Sequence, residues 1–218
     1  MAEIKATYVD HCGSDLSIVN AARVSFGKKS EKLKQKDKDL IKYLADNEHY
    51  SPFEHVTCTI VVECPLYIRS QIHRHRTFSY NEISRRYTSE NIEFYIPPVD
   101  DIRMQSSDNK QASRGSLDHA SADNAQYLIE ELCRKAKQTY DELLELGVAR
   151  EQARSVLPVC TMTKFYMSGN LRNWVHFLKL RLHPHAQKEA RIVAEQVLAV
   201  LKEKFPEGVK ALMASCGR

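Results

Sequence analysis

The chain is poor in the patterns that announce common sites. Its seven glycines form neither G-x-G-x-x-G nor a Walker loop, so a glycine cradle cannot hold a nucleotide phosphate here. The six cysteines are Cys12, Cys58, Cys64, Cys133, Cys160 and Cys216, with no C-x-x-C pair among them. That removes the zinc-ribbon and thioredoxin-type readings and leaves buried free thiols as the expectation. Nine histidines include no His-Glu-x-x-His. The pairs His73/His75 and His183/His185 have the wrong spacing for zinc, so no metal site is expected. No apolar run approaches the ~20 residues a membrane helix needs. Met-Ala-Glu-Ile-Lys lacks the apolar core of a signal peptide. A soluble, cytoplasmic protein without membrane contact is expected.

What is present is a basic, well-mixed globular sequence of 218 residues, 43% apolar and 28% charged, with a net charge of +4. One domain over 1–218 is expected, since no linker is rich enough to divide two and no repeat occurs. The charge suits anions but is too small to argue for nucleic-acid binding.

Read in order, Ile4 to Val9 predicts a strand, and Asp15 a cap for a helix through Val24. Lys28 to Lys38 reads as a solvated loop, followed by an amphipathic helix through Leu40–Leu44 that ends near His49. Proline in Ser51-Pro52-Phe53-Glu54-His55 separates two elements. Val56 to Val62 predicts a buried strand stopped by Pro65, and Leu66 to Arg74 a helix with Gln71 and Arg74 on one face. Glu93–Ile96 predicts a short strand, and 100–116 an exposed, mobile loop. From Ser116 a long helix should reach Leu146, with Leu128, Leu132, Tyr140 and Leu144 on its apolar stripe. A short helix ends at Pro158, and Thr161–Met167 alternates as a strand. Three further helices are expected: Asn170–Leu182, His185–Lys204 and Glu207–Ala214. The first carries Arg172 and His176 four apart.

The chemistry concentrates in Arg74-His75-Arg76-Thr77-Phe78-Ser79-Tyr80-Asn81-Glu82-Ile83-Ser84-Arg85-Arg86-Tyr87. By composition it is a solvated basic loop, a nucleic-acid contact, or the wall of a site for an anionic ligand. If extended, it projects Glu82, Ser84 and Arg86 from one face. Guanidinium groups match phosphate bidentately and keep their charge when partly buried. Arg154, Arg172 and Arg181 add cations in structured settings. Ser84 has no histidine base at a fixed offset and reads as a ligand contact, not a nucleophile.

Arg74-His75-Arg76-x-x-Ser79-x-Asn81-Glu82-x-Ser84 resembles, without substitution, the signature of flavin-dependent thymidylate synthases. Similarity extends to Ala21-Ala22-Arg23-Val24-Ser25, Ser51-Pro52-Phe53-Glu54-His55, Arg154-x-x-Leu157-Pro158 and Leu178-x-Leu180-Arg181 with His185-Ala186-Gln187. The resemblance implies an α/β fold of α+β type: a central mixed or antiparallel sheet with flanking helices and a helical lobe, the thymidylate synthase-complementing protein fold. It implies a methyltransferase that makes dTMP from dUMP, with 5,10-methylenetetrahydrofolate as carbon donor and FAD reduced by NADPH. It also implies a homotetramer with active sites between subunits.

Carried over by position, Gln71, Arg74, Glu82, Ser84, Arg85, Arg86, Arg154 and Arg181 would bind dUMP. Ser51, Glu54, Arg74, His75, Arg76 and Asn81 would surround FAD, with Glu82, Asn170, Arg172, His176 and His185. His49 would lie near the flavin and folate. Arg181 would be the cation that favours charge on the uracil ring. Arg85 stands where many relatives have glycine, so its side chain should leave the pocket. Two other readings stay open: a basic nucleic-acid-binding protein gripping phosphates with Arg74–Arg86, and a flavin oxidase or reductase without methyl transfer.

Overall fold

A computed structural model describes residues 2–110 and 112–215, so Cys216 lies outside the described residues. Along the chain run β1 (Lys5–Cys12), α1 (Asp15–Arg23), α2 (Gln35–Asp46), β2 (Thr57–Pro65), α3 (Leu66–Ile72) and β3 (Ser79–Glu82). Then follow β4 (Arg103–Gln105), β5 (Ser113–Ser116), α4 (His119–Glu145), α5 (Arg150–Ala153), β6 (Met162–Asn170), α6 (Leu171–Arg181), α7 (Lys188–Lys204) and α8 (Pro206–Ala214). An antiparallel sheet orders its strands β1-β2-β6-β3, and β4 with β5 makes a separate hairpin. This is the expected α+β class.

The described residues fall into two compact units. One holds the amino-terminal residues through Ile4, then Glu63–Arg74 and Glu82–Lys164; the other holds Lys5–Val62, His75–Asn81 and the chain from Phe165 onward.

In the second unit, α7 packs on β1, and α6, α7 and α8 pack on one another. The core is largely aliphatic, with a cluster of aromatic rings where α6 meets the His75–Asn81 segment. Trp174 is fully buried and donates its indole N–H to the carbonyl of Cys58 at 3.0 Å. Phe78 meets Trp174 edge-on at 4.7 Å between ring centroids. Gly169 permits this: a Cβ there would sit 2.5 Å from the Phe78 ring. Each large ring buries more apolar surface than an aliphatic side chain, so this cluster contributes strongly per residue.

Asp15 departs from expectation. Ser14 occupies the N-cap of α1 and donates its backbone N–H to the Ser17 hydroxyl at 3.0 Å. Asp15 is buried and accepts from the backbone N–H groups of Glu207 and Gly208, both at 2.9 Å. It therefore satisfies the orphan donors at the start of α8, not those of its own helix. Burial raises its pKa above the usual carboxylate range, partly offset by those two bonds.

α2 starts at Gln35, inside the expected lysine-rich loop, because buried Asp37 accepts from Lys34 N–H at 2.8 Å and pairs with Arg23. α7 starts at Lys188, three residues after His185. The stretch read as extended chain is a strand only as far as Glu82. Tyr87 N–H bonds Ser84 C=O at 2.9 Å and closes a turn, so Glu82, Ser84 and Arg86 do not share a strand face.

In the first unit, Glu93–Ile96 gives only an isolated bridge, Phe94 to Thr161. The expected loop at 100–116 contains the β4–β5 hairpin. α4 is capped by Asp118, whose side chain accepts from Ser121 N–H, and it buries Ala122, Cys133, Ala136 and Tyr140. Leu128 and Leu132 of the expected stripe are 58% and 60% exposed. Cys58, Cys64 and Cys133 are buried as expected, but Cys12 is exposed and Cys160 only partly covered. α3 ends at Ile72, so Arg74 lies beyond the helix and shares no face with Gln71. Among the described residues, no helix is long and apolar enough to cross a membrane.

Candidate active site

The first unit contains a cavity of about 270 Å³ lined by Leu66, Arg69, Glu82, Ile83, Ser84, Arg85, Arg154, Leu157, Thr161, Met162 and Thr163. Four pieces of chain supply the wall, the first being α3 with Leu66 and Arg69. The end of β3 and the turn after it bring Glu82 to Arg85, the Arg154–Val156 turn brings Arg154, and the entry to β6 brings Thr161 to Thr163. Ile83 N–H bonds Lys164 C=O at 2.9 Å and holds the turn after β3 against β6.

Glu82 is the best-fixed polar group there. Arg69 grips its carboxylate through Nε, at 3.1 Å and 2.9 Å to the two oxygens, and through Nη2 at 2.5 Å. Thr163 donates its hydroxyl to the same carboxylate at 2.7 Å. A charge-assisted fork of this kind orients both partners. Around it, Leu66, Ile83, Leu157 and Met162 supply apolar wall, while Ser84 and Arg154 supply donors. Apolar walls with a few convergent polar groups suit a flat heterocycle carrying an anionic tail.

Arg85 lines the cavity, but its guanidinium donates to Glu90 C=O at 2.6 Å and Asn91 C=O at 3.2 Å. It staples the segment in which Asn91 adopts a left-handed φ of 51°. Of the eight expected substrate contacts, Glu82, Ser84, Arg85 and Arg154 thus meet at one cavity. Arg86 is exposed and 3.6 Å from Glu151. Gln71 and Arg74 belong to the same unit but do not line the cavity; Arg181 belongs to the other unit.

Reading the sequence does not find Arg69 or Thr163. Thr161 and Thr163 share a face of an alternating strand, which is a usable signal. Arg69 carries none beyond its charge.

In the second unit, His75 is buried and accepts a hydrogen bond from Arg181 Nε–H at 3.0 Å. Burial, then the Arg181 guanidinium and the neighbouring His176 ring, lower its pKa to about 4. The ring is therefore neutral at pH 7, with its proton on Nδ1. His176 and Phe177 stand edge-on to it at 6.2 and 5.0 Å. Tyr80 donates its hydroxyl to His75 C=O at 2.9 Å, and burial pushes its own pKa up to about 12.

Arg172 pairs with Glu54 at 2.5 Å and lies 4.8 Å over the Tyr50 ring. Asn170 caps α6 by accepting from Asn173 N–H at 2.9 Å. Asn173 in turn donates to Thr77 C=O at 3.1 Å, tying the His75–Asn81 segment to α6. Arg76, Asn81, His185, Ser51 and His49 are exposed in this unit. His49 stands edge-on to Tyr43 at 6.1 Å, and His183 and His185 are 5.0 Å apart. The set is rich in donors and cations, with Glu54 already neutralised by Arg172. Such chemistry fits a dinucleotide bearing a diphosphate.

A family model described as "Thymidylate synthase complementing protein" matches residues 7–207. The chain belongs to that family. Relatives agree. It is 42% identical over 205 residues to the flavin-dependent thymidylate synthase of Thermosipho africanus, covering 94% of this chain and 89% of that one. It is 44% identical over 198 residues to an enzyme of that name from Thermus thermophilus, covering 91% and 71%. Among solved structures it resembles the UMP/dUMP methylase PolB from Streptomyces cacaoi bound with 5-Br dUMP. The TM-score is 0.87 and the identity 35%, over 98% of this chain and 96% of that one. Membership of this family leaves the nucleic-acid reading of Arg74–Arg86 without support. Within that stretch His75 is buried and Arg85 is committed to backbone carbonyls.

Proposed function

We propose that the chain converts dUMP to dTMP as an FAD-dependent methyltransferase, with 5,10-methylenetetrahydrofolate giving the carbon. The observation that carries the reading is the meeting of Glu82, Ser84, Arg85 and Arg154 at one cavity of nucleotide size. In this reading Ser84, Arg154 and the backbone around Arg85 hold the phosphate, with Gln71, Arg74 and Arg86 as further dUMP contacts. Glu82, fixed by Arg69 and Thr163, presents its carboxylate edge to the pyrimidine.

FAD, when bound, supplies the reducing equivalents, and NADPH is the proposed source of them. The residues that would hold it are Ser51, Glu54, Arg74, His75, Arg76, Asn81, Glu82, Asn170, Arg172, His176 and His185. His49 would stand near flavin and folate. The protein's part is orientation and charge. C5 of uracil is a poor nucleophile until negative charge develops on the ring. Arg181, held through its Nε–H by neutral His75, is the cation proposed to favour that charge. Burial lowers the Arg181 pKa, but from so high a value that it keeps its charge.

The family match spans residues 7–207, which supports reading 1–218 as one thymidylate synthase domain. A homotetramer is proposed, supported by the exposed apolar face of α4 formed by Tyr127, Leu128 and Leu132. The cytoplasm is the proposed location.

Arg154→Ala tests the cavity. It should raise KM for dUMP about tenfold or more with little change in kcat, as loss of ground-state phosphate binding does. An unchanged KM would contradict the assignment.

A further inference from the structure

The Cys133 and Cys160 sulfurs lie 3.4 Å apart, both unbridged. A disulfide needs about 2.05 Å, so roughly 1.4 Å of closure separates this contact from a bond. The two thiols sit on supports of different stiffness. Cys133 is on the buried face of α4, midway along a helix of 27 residues. Cys160 is in the short turn before β6, where Thr161 N–H bonds Pro158 C=O at 2.9 Å and Tyr95 N–H bonds Cys160 C=O at 2.9 Å. Leu157 on one side of Cys160, and Thr161, Met162 and Thr163 on the other, line the cavity described above. Closure would therefore displace the turn more readily than the helix, and the turn continues into the cavity wall.

We propose that Cys133 and Cys160 form an oxidative modification site whose co-reactant is a hydroperoxide, and that the resulting disulfide weakens dUMP binding by moving the Leu157–Thr163 wall. The second clause rests on the dUMP reading of the cavity.

Cys160, the less covered of the two, reacts first. Its sulfur takes one peroxide oxygen as the O–O bond breaks, giving a sulfenic acid and releasing water or the corresponding alcohol. The Cys133 sulfur then attacks the Cys160 sulfur. The S–O bond breaks, and the Cys133 proton leaves with the hydroxide as water. Two thiols lose two electrons and the hydroperoxide gains them. Burial, then the Cys160 thiol beside it, pushes the Cys133 pKa up to about 12. Cys133 is therefore not the thiol oxidised first; its position 3.4 Å from the Cys160 sulfur, which Cys58 and Cys64 lack, is what makes it the resolving thiol. Cys58 and Cys64 are also buried, with pKa values pushed to about 11 and about 12 by burial, and are not expected to react.

The test treats FAD-loaded enzyme with hydrogen peroxide, blocks remaining thiols and maps peptides without reduction. A Cys133–Cys160 cross-linked peptide about 2 Da below the sum of its reduced parts is expected, since closure removes two hydrogens. KM for dUMP should rise severalfold with kcat nearly unchanged, and dithiothreitol should reverse both changes. The bridge should also raise Tm by about 5–10 °C through loop closure. Cys133→Ser should abolish the cross-link and the KM response together; Cys133→Ala serves if the serine is not tolerated. A sulfenic or sulfinic acid at Cys160 without a cross-link would overturn the proposal, as would a cross-link that leaves KM unchanged. If Arg154→Ala leaves KM unchanged in the reduced enzyme, the dUMP reading itself fails and takes the binding clause with it. The cross-link is scored independently of either result.

Discussion

Glu82 carries the consequences at the scale of single residues. Its carboxylate lines a cavity proposed to take an anion, and Arg69 with Thr163 makes that tolerable by saturating and aiming it. Arg69→Met should therefore cost about tenfold or more in kcat/KM, on the scale of a lost charge-assisted hydrogen bond. Steady-state kinetics checks this; wild-type values would contradict it. Arg181→Ala should lose turnover far more than FAD affinity, because its proposed charge serves the pyrimidine. Turnover set beside a flavin titration separates the two, and equal losses would count against the assignment.

His75 makes a pH prediction. Its folded pKa of about 4 lies below its ordinary 6.5. The unfolded chain then binds more protons between those values, so stability is present above pH 6.5 and is lost as pH falls toward 4. Up to about 3 kcal/mol is at stake. Denaturant midpoints across that range should fall with acid, and His75→Asn should flatten the slope.

At the scale of elements, the elements themselves were legible far better than their neighbours. The β-branched run ending at Pro65 is a strand, and the helical periodicity over 170–182 is a helix. What escaped depends on partners distant in the chain. Asp15 looked like the cap of its own helix and serves one that starts 191 residues later, at Pro206. Leu128 and Leu132 have core spacing, yet the small residues Ala122, Cys133 and Ala136 face inward. The extended reading of Glu82 to Arg86 fails where Ser84 C=O closes a turn, which local β propensity cannot reveal.

Two substitutions test these joints. Asp15→Ala leaves two buried N–H groups of α8 without their acceptor and should cost about 2–4 kcal/mol. Gly169→Ala drives a methyl into the Phe78 ring and should cost about 1–3 kcal/mol by overpacking. Because Phe78 lies between His75 and Asn81, that variant should also lose FAD affinity. Chemical denaturation and a flavin titration measure each.

For the whole molecule, the ordered signature from Arg74 to Ser84 made the family legible without coordinates, while composition left three readings open. The site was legible in part. Glu82 and Ser84 lie inside the signature and Arg85 and Arg154 outside it, yet the resemblance named all four, and they line one cavity of the candidate site. Their supports, Arg69 and Thr163, could not be named in advance, because support depends on packing. A chain of 25.1 kDa as a homotetramer should give a mass near 100 kDa by light scattering. Leu128→Asp with Leu132→Asp should reduce it. A 25 kDa species in the unaltered protein would contradict that assembly.

The most direct measurement is product formation by purified, FAD-loaded protein supplied with dUMP, 5,10-methylenetetrahydrofolate and NADPH, then with each omitted in turn. dTMP should appear only in the complete mixture. NADPH consumption without dTMP in that mixture would leave a flavin reductase and contradict the account.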